Sequence, residues 1–473
     1  MGFVFFDTET TGLRHGFDQI VHFAAIRTDN DLNEVDRFEA RSRLLPHVVP
    51  HPSALLTNGL PIERLTDGGL PSHYQMVLLI RHKLLSWSPS IFVGYNSIRF
   101  DEEMLRHALF QTLQPAYLTS NHGNCRADVL GLVMAAAAVS PACLSVPYGP
   151  EGRPVFRLEQ LASANGVAHT QAHDAMADVI ATLGLCRCVH ERSSELWHRF
   201  VRFSKKATVG DFVDSEDGFF LTEFFGNEAN HTPVVCLGPD PDQPNGRFCL
   251  RLDASPEELA AMPDEALRSY LSAKLGPVRR LRINAAPTLT AFYDATETML
   301  DGADIDDLED RARSIKENTA LRSRIIETLV ATRAPRSPST HVEGQIYEGF
   351  PGPDDEIRMA NFHNVGWGDA AAIVREFDDE RLRIFGRRLI YFGGRPALSD
   401  DLRLVVERDL TDRLMDEAAG GFTLRQALQE TQRLLDEHGS DVDGILVKYR
   451  SYLISRIERV TQFRARQFAA EPT

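Results

Sequence analysis

Four apolar residues, Phe3-Val4-Phe5-Phe6, run straight into Asp7, Glu9 and a turn at Gly12. A short unbroken apolar run predicts a strand buried on both faces. Residues 20–26 repeat the pattern and predict a hairpin partner for it. Residues 44–73 are loop-rich, with prolines at 46, 50, 52, 61 and 71. Helical spacing returns at Met76, Val77, Ile80, Leu84 and Leu85. Residues 91–96 predict another strand, followed by a helix whose stripe is Met104, Leu105, Ala108 and Leu109. Further helices are expected over 129–139, from 156 to the stop at Asn165-Gly166, and from Asp174 onward, where Val179, Ile180 and Leu183 face inward.

Around residue 196 the pattern changes. The run from Leu196 to Lys206 interleaves rings with cations. It suits either contact with a single nucleic-acid strand or an amphipathic connector whose rings are core. Short apolar strands follow at 219–221, 234–237 and 248–252, with a helix inserted near 263–275. Residues 278–284 form a strand with Arg279, Arg280 and Arg282, either a phosphate contact or a solvated face. The acidic cluster over 301–310 lacks the spacing of a calcium loop and is expected to be solvated. A linker signal at 336–340 precedes a mostly helical remainder. Three domains are expected: 1–195 α/β, 196–345 β-rich and 346–473 all-α.

Composition changes this picture little. The chain has 473 residues, 43% hydrophobic and 25% charged, which is ordinary for a globular protein. Its net charge of −16 argues against binding polyanions over the whole surface, but leaves room for a local basic region. Six cysteines occur without a C-x-x-C pair, so neither a disulfide framework nor a zinc site is indicated. Acids at 7 and 9 interrupt any leader-like apolar core, and the stretch 132–139 is too short to span a bilayer, so a cytoplasmic, non-membrane protein is expected.

The candidate chemistry lies in the first domain. Asp7 and Glu9 are two apart, so on a strand both point to one face. Carboxylates held side by side repel, and a hard divalent cation such as Mg²⁺ or Mn²⁺ is the natural compensation. Asp101 falls at a strand-to-helix junction, where either a ligand or an N-cap is at home. Asp178 lies in the first turn of its helix, and His173 precedes the cap on a loop, where an imidazole can move protons.

Taken together, Asp7-x-Glu9, then Asn96-x-x-x-Phe100-Asp101, then His173-x-x-x-x-Asp178 resemble the three ordered motifs of the DEDDh 3′→5′ exonucleases. Related families carry Tyr where this chain has His173. The flanks Gly94-Tyr95-Asn96, Phe156-Arg157-Leu158-Glu159 and Ala172-His173-Asp174-Ala175-Met176-Ala177-Asp178 are similar to the bacterial exodeoxyribonuclease I family. The similarity runs to about residue 190 and recovers at Arg282–Pro287 and Gln345–Phe350.

The resemblance implies a ribonuclease-H-like exonuclease domain, an SH3-like β domain and a helical domain, together enclosing a groove for single-stranded DNA. It implies two Mg²⁺ ions held by Asp7, Glu9 and Asp178, with Mn²⁺ as a substitute. Asp101 would act directly or through waters, and His173 would serve as general base. Glu9, Arg106 and Arg157 would contact substrate, with Tyr117 as a stacking ring. Arg106 as a solvated helix charge and Arg157 as an ion-pair partner are the alternatives. A role in DNA repair, a monomeric state and docking of the single-stranded-DNA-binding protein's C-terminal tail are likewise implied. The catalytic motifs alone leave RNA open as substrate, and a non-cutting 3′-end-binding protein stands as the third alternative.

Overall fold

The structure is a computed structural model that describes residues 1–169, 174–274, 276–335, 337–438 and 444–469, without the side chains of 438 and 466–469. The first domain is built on a five-stranded sheet in the order β3-β2-β1-β4-β5. The strands are β1 (Phe3–Thr10), β2 (Ile20–Thr28), β3 (Glu34–Arg41), β4 (Ile91–Gly94) and β5 (Cys125–Asp128). β2 pairs antiparallel with β1 as the apolar runs predict, while β4 and β5 run parallel to β1.

Both faces of this sheet are covered, which is why β1 is apolar at successive positions. Phe3 and Phe5 pack with Met176, Val179 and Leu183 of the helix Ala175–Arg192. Val4 and Phe6 pack on the opposite face with Met104, Leu105 and Leu109 of the helix Asp101–Gln111. Each fully buried phenylalanine contributes roughly 1.5–3 kcal/mol. β4 approaches β1 so closely that a Cβ on Gly94 would stand 2.8 Å from the carbonyl oxygen of Phe6. Only glycine fits there without displacing backbone.

The second domain is an antiparallel five-stranded sheet in the order β10-β6-β7-β8-β9. Its strands are β6 (Phe219–Phe225), β7 (Glu228–Asp240), β8 (Gln243–Arg251), β9 (Val278–Arg282) and β10 (Thr288–Ala291). The helices Ile305–Glu317 and Thr319–Ala331 close its core through Leu308, Ile315 and Ile325. The aromatic-basic run proves to be a connector. Leu196 and Trp197 enter the first domain's core, and Phe203 enters the second's. The expected boundary at 195/196 thus falls at the start of the helix Ser194–Phe203. The three arginines of β9 are partly committed within the domain: Arg279 pairs with Glu223 at 3.1 Å, and Arg280 lies over the Phe248 ring.

From the 3₁₀ turn Val342–Tyr347 onward the chain is helical. This region shares cores with the first domain. Phe110 and Leu113 pack with Ile346, Phe362 and Phe385. The proline-rich stretch, expected to be loop, contains the short helices Pro52–Thr57 and Ile62–Leu65, which pack through Leu55 and Ile62 against Tyr449 and Leu453 of the final helix Ile445–Ala469. Among the described residues no helix is long and apolar enough to cross a membrane.

Candidate active site

The two faces of β1 explain how four distant acids meet. Asp7 and Glu9 share the face of Phe3 and Phe5, the face covered by the helix Ala175–Arg192. Asp178 stands in the first turn of that helix. One carboxylate oxygen each from Asp7, Glu9 and Asp178 lies within 4.8 Å of the other two. Thr8 continues the opposite face and meets Asp101, the first residue of the other helix. The Thr8 backbone N–H and hydroxyl both donate to Asp101 Oδ1, at 3.0 and 2.6 Å. This is possible because β1 pairs with β4 only over Phe3–Phe5, leaving the edge open beyond. Asp101 is therefore held by β1, and the N-cap position falls to Phe100, which makes no side-chain cap bond.

The electrostatics of this group are unfavourable without a cation. Burial pushes Glu9 up to about 8, and the charges of Asp178, Asp101 and Asp174 add to it while Arg41 opposes. Asp7 rises well above the usual carboxylate range through burial, then through Asp101, Asp178 and Glu9. Burial lifts Asp101 to about 7 even though the Thr8 hydrogen bonds pull the other way. Hard oxygen donors, partly open at Asp7 and Asp178 and closed at Glu9, fit a divalent ion that would reverse these shifts.

His173, the expected base, lies outside the described residues. Its neighbour Asp174 is the N-cap of the Asp178 helix and accepts from the backbone N–H groups of Met176 and Ala177. Arg41, on the edge strand β3, pairs with Asp174 at 3.2 Å. A second imidazole, missed from the sequence, reaches the site: His169 Nε2 lies 2.6 Å from Asp178 Oδ1. Asp128 was missed as well. At the end of β5 its carboxylate accepts from the N–H groups of Asn96, Ile98 and Leu130, fixing the turn that delivers Asp101. Its place immediately before an apolar helical run was the available signal.

The two expected substrate arginines differ. Arg106 is buried and committed, pairing with Glu103 at 2.9 Å and Glu102 at 3.6 Å, and lying over the Tyr117 ring. Arg157 is exposed at the start of the helix Leu158–Ala164, and no carboxylate among the described residues pairs with it. Tyr117 contacts Phe350 at 5.5 Å, and Phe350 is 77% exposed.

A mixed sheet covered by helices, with four acids gathered at the end of its central strand, defines a nuclease of the exonuclease class. Residues 4–186 match the RNase_T exonuclease family. Exodeoxyribonuclease I of Escherichia coli is 29% identical over 425 residues, covering 86% of this chain and 89% of the relative. That of Buchnera aphidicola subsp. Schizaphis graminum is 30% identical, covering 81% of each chain. The crystal structure of E. coli Exonuclease I in complex with a dA16 oligonucleotide superposes with a TM-score of 0.83 at 25% identity, covering 97% of this chain and 99% of that one. The chain belongs to the exodeoxyribonuclease I family, and its enzyme activity is that of an exodeoxyribonuclease.

Proposed function

We propose that the chain hydrolyses single-stranded DNA from its 3′ end, releasing 5′-mononucleotides, with two Mg²⁺ ions as cofactors and His173 as general base. The observation that carries this reading is the meeting of Asp7, Glu9 and Asp178 within 4.8 Å, beside Asp101. When bound, such ions would stabilise charge on the phosphate and make a water acidic. Asp7, at the centre of the group, and Asp178 and Glu9 on either side would hold them, with Mn²⁺ able to replace Mg²⁺. Glu9 would also accept a hydrogen bond from a terminal 3′-hydroxyl, which selects a free 3′ end. Asp101 adds negative charge to the group and acts directly or through water. His173, the residue before Asp174 in the sequence, takes the proton of the attacking water.

Single-stranded DNA as substrate is supported by the oligonucleotide held in the E. coli relative. Arg157, unpaired by carboxylates among the described residues, offers a cation to a phosphate, and the exposed ring of Phe350, beside Tyr117, offers a stacking face to a base. A monomeric enzyme, action in DNA repair and docking of the single-stranded-DNA-binding protein's tail belong to the same reading.

The test uses matched DNA and RNA strands labelled at the 3′ end. Mononucleotide release from DNA in Mg²⁺, lost on chelation and in Asp7→Ala, is expected. Undiminished release by Asp7→Ala would overturn the mechanism, and faster release from RNA would overturn the substrate.

A further inference from the structure

Glu102 follows the catalytic Asp101 in sequence, yet the mechanism has no use for it. It is 1% exposed and faces away from the four acids. Its Oε2 accepts from the Thr119 hydroxyl at 2.7 Å and sits between two guanidinium groups, Arg126 at 3.5 Å and Arg106 at 3.6 Å. Each of these arginines reaches a different domain. Arg126, on β5, donates to the backbone carbonyl of Asn284 in the second domain at 3.0 Å. Arg106 donates to the Tyr347 hydroxyl, at the start of the helical region, at 3.4 Å, and Tyr347 also donates to Glu103. All three parts of the molecule therefore converge on one carboxylate in the first turn of the Asp101 helix.

The pairing is incomplete. Glu102 Oε1 and Arg106 Nε are buried without a partner among the described residues. A partly satisfied buried ionic cluster is a poor way to gain stability, and apolar residues of similar volume often do better. What the cluster does supply is a polar link from the first domain to each of the other two, beside the apolar cores shared with the helical region.

We propose that Glu102 is a positioning residue: its charge holds the second and third domains closed against the first, so that a long single strand stays engaged between successive cleavages. Without that charge, Arg126 has no carboxylate among the described residues within ion-pair distance, and it faces Arg106 across the gap. The two arginines then repel, and the contacts to Asn284 and Tyr347 loosen. The acids at 7, 9 and 178 are held by β1 and by their own helix, and Asp101 by two hydrogen bonds from Thr8, so chemistry at the centre is not disturbed. This inference rests on the exonuclease reading above.

The experiment compares the full-length protein with Glu102→Gln and with the double variant Glu102→Gln/Arg126→Gln. Two substrates are used, a long labelled DNA strand with an excess of unlabelled trap, and the p-nitrophenyl ester of thymidine 5′-monophosphate. Glu102→Gln is expected to raise KM on the long strand about 10-fold and to shorten the run per encounter. Its kcat on the small ester should stay within about 2-fold of the parent. The double variant, which also removes the Arg126 contact to Asn284, should shorten the run at least as far. An equal loss of kcat on both substrates, or an unchanged run length in a folded variant, overturns the proposal. Should Glu102→Gln fail to fold, Tyr347→Phe cuts only the link to the helical region and must shorten the run with kcat intact, or the proposal is overturned. Failure of the exonuclease reading itself would look different, because the parent protein would then release no nucleotide at all.

Discussion

Asp101 and Glu102 are adjacent acids, both buried, at the start of one helix, and their surroundings are opposite. Asp101 faces Asp7 and the open end of β1, where like charges crowd and burial lifts it to about 7. Glu102 faces two guanidinium groups and a hydroxyl. Glu343 repeats the second pattern: it is 2% exposed and paired with Arg388 and Arg413. Burial pushes against its charge, but those arginines outweigh it, and its carboxyl lies below the usual range. Acids supplied with cations by the chain itself hold domains together. Acids left without them are poised for a cation from solution. The sign of the neighbouring charge, rather than burial, separates structure from chemistry here.

The largest expected effect comes from breaking the first group. Asp7→Asn keeps shape and burial but removes one charge from the centre. Mononucleotide release is expected to fall by about 10⁴-fold or more, because a central ligand is lost. If the contrast holds, the metal-free Asp7→Asn protein should nonetheless melt higher than the parent, since repulsion is relieved. Calorimetry without divalent ions checks this, and a lower melting temperature would mean that repulsion at Asp7 does not limit stability.

The opposite substitution breaks the second group. Glu343→Ala strands Arg388 and Arg413, both nearly buried. Denaturant unfolding is expected to show a loss of about 3–5 kcal/mol, the range for removing one partner of a buried ion pair. Asp409, 2.8 Å from Arg388, limits the loss. A change within error would mean that the two arginines find other partners or water.

Much of this arrangement was legible in the chain because it is local or periodic. β1, β2 and β4, the helices behind them and the Asp174 cap follow from apolar runs, stripes and capping residues read directly, although Ile180, expected to face inward, is 36% exposed. β3 was not legible: Glu34–Arg41 is a half-exposed edge with little apolar content. β5 was not either, since Cys125–Asp128 is four residues long and contains the buried Arg126. Asp101 could be either a cap or a ligand on local grounds; Thr8, 93 positions away, holds its carboxylate, and the cap position falls to Phe100. The roles of His169 and Glu102 depend in the same way on partners brought by folding, so no spacing rule could single them out, whereas Asp128 was marked by its place before an apolar helical run. The short helices in the proline-rich stretch exist because the final helix covers them.

The contrast between the two kinds of acid also fixes the sign of the pH dependence. Glu9 is raised from 4.5 to about 8, so in the metal-free protein its contribution to stability is intact below about 4.5 and is lost as pH rises through about 8. Asp101, raised from 3.8 to about 7, acts in the same direction. Glu343 is lowered, so its contribution is present above 4.5 and fades only as pH falls through its depressed value. Metal-free protein should therefore lose stability between about pH 5 and 8, and Mg²⁺ should restore more of it at the upper end, because its ligands must be deprotonated. Melting curves across that window, with and without Mg²⁺, check both statements. A melting temperature that rises toward pH 8 without metal would contradict the picture of a frustrated centre.

The smallest expected effect separates the two arginines assigned to substrate. Arg157 is exposed and unpaired by carboxylates among the described residues, whereas Arg106 already has two. Replacing a cation that contacts a phosphate weakens binding and flattens its salt dependence, by about 0.7 in the logarithmic slope for a single strand. Arg157→Gln should therefore raise KM for single-stranded DNA by about 3- to 10-fold, leave kcat alone and reduce the slope. Arg106→Gln breaks ion pairs within the protein, so its main expected effect is on folding stability and on the Tyr347 link, with a smaller change in salt slope. Binding titrations at several salt concentrations, run beside denaturant unfolding of each variant, distinguish the two. If Arg106→Gln lowers the slope as much as Arg157→Gln, then Arg106 reaches the phosphate despite its internal partners, and the division between chain-satisfied and solution-facing charges does not extend to the cations.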